Sequence, residues 1–172
     1  MATRTPPSGL ERALDAGQFV ITAEITPPVS ADPAALIEKA DPLRGLVTAV
    51  NVTDGPRALV HMSALAAGAI LAANGIEPIV QMTCRDRNRI ALASDLLGAA
   101  ALGIHNLLIL TGDQPDTDED PAPKPVFDME STGLIGLAAT MRDRGALPNG
   151  RKIATPPALF IGAADQPIDP PK

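Results

Sequence analysis

Apolar residues along the chain follow two periods in turn. Four short runs, Phe19–Thr26, Val47–Thr53, Pro78–Cys84 and Asn106–Thr111, are dense in branched apolar residues and read as strands. Their starts lie 28 to 31 residues apart, the length of one strand–helix unit. Between them lie Ala- and Leu-rich segments of helical period, Pro33–Leu43, His61–Asn74 and Arg89–Leu102. Asp32 before Pro33 suits a helix N-cap followed by proline in the first turn. Gly75 and Gly103 fall just past two helices, where a left-handed cap is expected. Beyond the fourth strand the spacing stretches. Residues 114–126 are rich in Pro and Asp and read as an exposed loop, helix resumes over Asp128–Gly145, and a fifth strand, Ala158–Ala163, follows Pro156–Pro157. Residues 1–17 form an N-terminal extension with a helix, residues 165–172 a tail, and no sixth strand is visible.

Regular alternation of apolar strands with helices predicts an α/β domain with a parallel sheet covered by helices. A doubly wound sheet and a barrel both satisfy that pattern. The glycine fingerprint of a dinucleotide-binding turn is missing after the first strand, where Pro27 and Pro28 stand instead.

Side chains alternate across a strand, so residue parity separates its faces. One face would carry Val20, Thr22 and Glu24; then Ala49, Asn51 and Thr53; then Ile79, Gln81 and Thr83. In the fourth strand the same face would carry Leu107, Ile109, Thr111 and, past its end, Asp113. Each face starts apolar or small and turns polar toward the C-terminal end of its strand. The opposite faces, such as Ile21 and Ile25 or Leu108 and Leu110, stay apolar and suit contact with helices. A barrel enzyme needs this gradient: apolar side chains fill the lower barrel and polar groups gather at the C-terminal rim. Several of these residues have plainer explanations. Asp113 in Gly112-Asp113-Gln114-Pro115 and Thr53 in Thr53-Asp54-Gly55-Pro56 also suit turns, and Gln81 and Thr83 suit satisfied interior positions. Glu24 is harder to explain away, because a carboxylate within an apolar strand is costly unless it is paired or functional.

Composition narrows the picture further. The 172 residues suit one domain and carry a net charge of −6 with no basic run, a poor match to nucleic acid or an anionic membrane surface. With one cysteine there is no internal disulfide; with no secretory signal and no apolar stretch of membrane length, a soluble cytoplasmic protein is expected. Cys84 lacks an obvious base and reads as structural: His61 sits at a helix start and His105 precedes the fourth strand, at the opposite rim. No spacing of His, Cys, Asp and Glu suggests a metal site. Trp and Tyr are absent, so a ring-shaped ligand would stack on apolar side chains or on Phe19, Phe127 or Phe160.

Four motifs stand in register along this frame: Thr22-Ala23-Glu24-Ile25-Thr26-Pro27-Pro28, Val52-Thr53-Asp54-Gly55, Gln81-Met82-Thr83-Cys84-Arg85-Asp86-Arg87-Asn88 and Leu110-Thr111-Gly112-Asp113. In order and spacing they resemble the methylenetetrahydrofolate reductase family, as does the helix around Asp95–Ile104, over roughly residues 19–164. The resemblance implies a partial (βα) TIM-type barrel, about five of eight parallel strands, and FAD as cofactor. It implies a reaction in two halves: NAD(P)H or another electron donor reduces FAD, and the reduced flavin passes hydride to 5,10-methylenetetrahydrofolate to give 5-methyltetrahydrofolate. Glu24 matches the family's acid, which opens the folate imidazolidine ring to an iminium cation, and Asp113 matches the aspartate beside flavin and folate. Thr53, Gln81, Thr83, Thr111, Gly112 and Ala163 match flavin-binding positions, Ala163 at the end of the fifth strand. Some members have histidine at Gln81 and arginine at Thr111. A complete barrel takes about 250 residues, so an oligomer or a partner chain would supply the remaining units. Two alternatives stay open: a non-catalytic half-barrel subunit that completes or regulates a partner, and a barrel methyltransferase acting on a folate or corrinoid.

Overall fold

A computed structural model describes residues 5–115 and 123–164. Most of the Pro/Asp-rich loop expected at 114–126, and all of the tail at 165–172, lie outside the described residues. Five parallel strands form one sheet in sequential order: β1 (Thr22–Ile25), β2 (Ala49–Val52), β3 (Pro78–Thr83), β4 (Asn106–Leu110) and β5 (Phe160–Ala163). Five α-helices accompany them: α1 (Gly9–Asp15), α2 (Pro33–Ala40), α3 (Ala64–Ala73), α4 (Arg89–Ala101) and α5 (Ser131–Arg144). Sequential order with no reversal is the topology of a (βα) barrel arc and excludes the doubly wound alternative.

The strands are shorter than the apolar runs that predict them. β1 ladders with β2 only from Thr22 opposite Ala49 to Ile25 opposite Val52, and has no strand on its other side among the described residues. Phe19 and Val20 therefore precede the ladder. The helices start and stop where local chemistry dictates. Asp32 accepts from Ala34 N and Ser63 from Ala66 N at the N-termini of α2 and α3, and Asn88 accepts from both Ile90 N and Ala91 N at α4. α3 starts three residues later than its apolar pattern, because the Ser63 side chain supplies the cap. At the N-terminal end of the sheet, α1 is tied down by Glu77, whose carboxylate accepts from Gly9 N and Leu10 N at 2.9 and 2.8 Å and from Asn106 Nδ2 at 2.9 Å.

The core lies between the sheet and the helices. Val50, Val52, Val80, Met82, Leu107 and Ile109 are at most 2% exposed, and they pack with buried leucines of α2–α5. This placement corrects the expected face of the fourth strand. The register sets Gln81 beside Leu108 and Thr83 beside Leu110, so Leu108 and Leu110 share the inner face with Glu24 and Gln81, while Leu107 and Ile109 face the helices. The sequence Asn-Leu-Leu-Ile-Leu is apolar at both parities and carries no phase of its own. Parity counted back from Thr111 and Asp113 misleads because both lie past the strand end, Asp113 also beyond Gly112 with its positive φ.

Two helical glycines separate packing from propensity. A β-carbon at Gly68 of α3 would lie 2.5 Å from Val80 Cγ2 and 3.2 Å from Ile104 Cδ1, whereas one at Gly98 of α4 would meet nothing within 4 Å. Val80 and Ile104 are both fully enclosed and cannot give way cheaply. Gly98→Ala should therefore stabilise by about 0.5–1 kcal/mol through helix propensity. Gly68→Ala should lose about 1–3 kcal/mol to overpacking, more than the same propensity returns. Urea unfolding of the two variants checks this; equal midpoints would show that α3 is not seated on β3 as described.

Candidate functional site

The polar residues placed on one face by alternation do meet at one end of the sheet. A cleft of about 510 Å³ opens at the C-terminal ends of β1 to β4. Glu24 contributes from β1, Thr53 and Asp54 from just past β2, Gln81 and Thr83 from β3, and Leu110 to Asp113 from the end of β4. A smaller hollow of about 370 Å³ lies at Asn88, Arg89, Ile90, Val126 and Asp128. Its charged groups already satisfy each other: Arg89 binds Asp128 at 2.7 and 2.8 Å, and that contact holds the Asp128 carboxyl well below the usual carboxylate range. The chemistry is in the larger cleft.

Glu24 sits opposite Asn51 in the sheet register. Its Oε2 accepts from Gln81 Nε2 at 2.8 Å and, more weakly, from Asn51 Nδ2 at 3.4 Å. Both donors are neutral and both fall on one oxygen. Among the described residues no hydrogen bond reaches Oε1, which is left to meet a ligand. Asp113 lines the same cleft, exposed, immediately after Gly112. Gly112 has φ +92, and a β-carbon there would lie 3.1 Å from Arg85 Cβ and 3.2 Å from Thr83 Cβ. Only glycine fits such a turn so close to β3. The turn, and not strand alternation, brings Asp113 into the cleft.

A third carboxylate, Asp54, has a structural task. Its Oδ2 accepts from Thr83 N at 2.9 Å, from Thr83 Oγ1 at 3.0 Å and from the Arg87 guanidinium. Arg87 also reaches Asp95 of α4 at 3.1 Å and the Thr83 carbonyl at 3.0 Å. Since the Thr83 hydroxyl hydrogen goes to Asp54, only its lone pairs remain for a ligand. Arg85, with a side chain 4% exposed, grips Asp86 through two bonds of 2.8 and 2.7 Å and donates to the Gly55 carbonyl at 3.0 Å. The hydrogen-bonded Asp86 raises Arg85 above its ordinary value, so its charge is permanent. These contacts bind the loop after β2 to the loop after β3.

The other sequence-derived candidates divide between the cleft and other places. Thr53 lines the cleft and donates to Thr26 Oγ1 at 3.3 Å. Thr111 touches the cleft, but its hydroxyl is engaged by α5: it donates to Ser131 Oγ at 3.0 Å and accepts from Ser131 N at 3.2 Å. Ala163 lies opposite Ile109 on the helix-side parity of β5 and does not line the cleft. None of the three phenylalanines lines it either; Leu110 is its large apolar wall. Cys84 is fully enclosed and burial pushes its thiol up, away from nucleophile chemistry. His61 and His105 hydrogen-bond to the backbone carbonyls of Pro27 and Ala158, at 3.1 and 2.8 Å. Among the described residues no three His, Cys, Asp or Glu side chains group to hold a metal ion, and no helix is long and apolar enough to cross a membrane.

Comparison with protein families decides the affiliation. The family model for methylenetetrahydrofolate reductase matches residues 9–140 of the 172. The chain belongs to the methylenetetrahydrofolate reductase family. The match spans every cleft-lining residue named above and stops short of β5. No curated protein matches the chain by sequence. Methylenetetrahydrofolate reductases are flavin-dependent, and the five parallel strands are those of a partial TIM-type barrel.

Asp54, Arg85, Arg87, Arg57 and Asn51 line or support this methylenetetrahydrofolate reductase cleft, Arg87 through Asp54 and Asn51 through Glu24, and sequence reasoning left them without a role. A signal for the first three exists. Two arginines two residues apart directly after an apolar strand need carboxylates at the same rim, and Asp54 is the acid that directly follows the preceding strand.

Proposed function

We propose that this chain supplies the flavin and folate face of an FAD-dependent enzyme that reduces 5,10-methylenetetrahydrofolate to 5-methyltetrahydrofolate. The carrying observation is that Glu24 and Asp113, from β1 and the end of β4, line one cleft in a chain of this family. The cleft chemistry fits an isoalloxazine ring, whose pyrimidine-like edge carries both N–H donors and carbonyl acceptors. Thr83 Oγ1 offers lone pairs and the Thr53 hydroxyl and Gln81 amide are adjacent, so both kinds of group have partners. Once reduced by NAD(P)H or another donor, a flavin held there would supply hydride. Glu24 Oε1 delivers a proton to the folate nitrogen that leaves as the imidazolidine ring opens, and Gln81 holds the carboxyl in place through Oε2. The cation so formed sits in a cleft carrying the Asp113 carboxylate, which stabilises it by charge.

Anaerobic stopped-flow on the flavin-loaded assembly tests this reading. Addition of methylenetetrahydrofolate to the reduced protein should reoxidise the flavin and yield methyltetrahydrofolate. A protein that binds no flavin in any assembly overturns it in favour of the non-catalytic subunit, and flavin-free methyl transfer to a corrinoid overturns it in favour of a methyltransferase.

The open sheet bears on what that assembly is. β1 and β5 each have a neighbour on one side only among the described residues. Phe19 and Ile21, just before β1, are 92% and 54% exposed. Inside, Glu24 is exposed and Ile79, Leu108 and Leu110 are only half-buried, with no opposite wall among the described residues. Free edges and apolar faces drive association. A polypeptide of these 172 residues should therefore self-associate or take up a partner supplying three more βα units, and alone should bind FAD weakly. Analytical ultracentrifugation with flavin titration checks it: a stable monomer holding FAD stoichiometrically would refute it.

A further inference from the structure

The loop after β2 contains an unusual run of backbone. Gly55, Arg57 and Ala58 have φ of 54, 58 and 59°, in the left-handed region that side chains other than glycine enter at a cost. The run persists because both ends are fixed. On one side Arg85 holds the Gly55 carbonyl and Asp54 is locked to Thr83 and Arg87. On the other, Met62 N donates to the Pro28 carbonyl at 2.9 Å and His61 bonds to Pro27. Within the loop, Ala58 N closes on the Gly55 carbonyl at 3.0 Å and Leu59 N on the Pro56 carbonyl at 3.2 Å. The effect is to hold Arg57 on the wall of the cleft that contains Glu24 and Asp113.

The charges of that wall are unequally engaged. Arg85 is enclosed and bound to Asp86, and Asp54 is bound to Arg87. Arg57 is exposed and makes no hydrogen bond or ion pair among the described residues. It is the open cation in a cleft whose other open charges, Glu24 and Asp113, are negative. An arginine kept at an energetic cost on the rim of an acidic cleft, in a chain of net charge −6, is placed to meet negative charge brought in by a ligand.

We propose that Arg57 is a binding residue for an anionic group, carboxylate or phosphate, of the molecule that enters the Glu24 cleft. The proposal rests on the folate-reductase reading. Under it, with the flavin already bound, the anion of the incoming molecule comes from one of two sources: the glutamyl carboxylates of the folate, or the phosphates of a nicotinamide nucleotide. Both present oxygen pairs that a planar guanidinium can bind in a fork.

The test uses Arg57→Gly and Arg57→Lys in the flavin-loaded assembly. Glycine removes the side chain and also relieves the left-handed strain, so its melting temperature should hold or rise. Dissociation constants for mono- and triglutamyl 5-methyltetrahydrofolate and for the nicotinamide donor are then measured at low and high salt. Arg57→Gly should weaken one of these ligands about five- to tenfold, less so at high salt, and Arg57→Lys should retain part of the affinity. Weakening confined to folate, and greater for the triglutamyl form, assigns the carboxylate; weakening confined to the nucleotide assigns the phosphate. Unchanged affinity for both ligands overturns the proposal while leaving the folate reading intact. A fall in melting temperature with unchanged affinity also overturns it, because it makes Arg57 a structural part of the loop. If the wild-type assembly binds neither ligand, the folate reading fails and takes this assignment with it.

Discussion

Glu24→Gln in the flavin-loaded assembly should leave reduction of the flavin by its donor nearly unchanged and slow folate reduction by about 10²–10⁴-fold. The exchange is nearly isosteric. The new amide still offers an oxygen to Gln81 Nε2, now 2.8 Å from Glu24 Oε2, so the β1–β3 contact survives. What disappears is the one carboxyl group on this face of the cleft, among the described residues, that is not already engaged by a cation. Asp54 is occupied by Thr83 and Arg87, and Asp113 enters from the far side, past β4. Donor-to-flavin hydride transfer needs no such acid. The two half-reactions, followed separately by flavin absorbance, should therefore part company. An equal loss in both would remove Glu24 from the acid role, and a loss of flavin binding would make it a cofactor contact.

The arrangement around Glu24 was legible in sequence because one parity of each run turns from apolar to polar, Val20 to Thr22 and Glu24 in the first and Ile79 to Gln81 and Thr83 in the third. Glu24 and Gln81 then had to share a face, and the register sets them there. β4 was not legible in this way. With leucine or isoleucine at four successive positions, either face could be the inner one, and burial by α4 and α5 decided for Leu107 and Ile109. Asp113 was placed at the right cleft for a wrong reason, since Gly112 interrupts the alternation that had been extended to it. Thr111 shows the converse. It follows the strand directly and touches the cleft, yet its hydroxyl caps α5 through Ser131, a partner 20 residues away. The cluster Arg85-Asp86-Arg87 gave no such signal, because nothing local shows that Arg85 is enclosed. Its partners, Gly55 and Asp54, stand about 30 residues upstream and meet it only when β2 and β3 pair.

That cluster leads to an expected order of stability losses. Arg87→Met should destabilise the protein by about 2–4 kcal/mol, at the lower side of a fully buried pair because the Arg87 side chain is 21% exposed. The loss arises less from the missing attraction than from what stays behind. Asp54, 12% exposed, would keep its bonds to Thr83 but lose its ion-pair partner, and Asp95, 28% exposed, would lose its partner too. Asp95→Ala should be far milder, about 1 kcal/mol or less, since Arg87 keeps Asp54 and the Thr83 carbonyl. Asp54→Ala should fall near Arg87→Met. It strands the Thr83 amide at the end of β3 and frees the Thr83 hydroxyl to turn toward the cleft, so it should change ligand affinity as well as stability. In a double-mutant cycle the Asp54→Ala and Arg87→Met losses should overlap, with a coupling of at least about 1 kcal/mol, because each removes the same contact. Urea unfolding of the four proteins measures it. Additive losses would mean that Arg87 stabilises α4 through Asp95 alone, and that the loop after β2 is held in place by Arg85 and Gly55 without it.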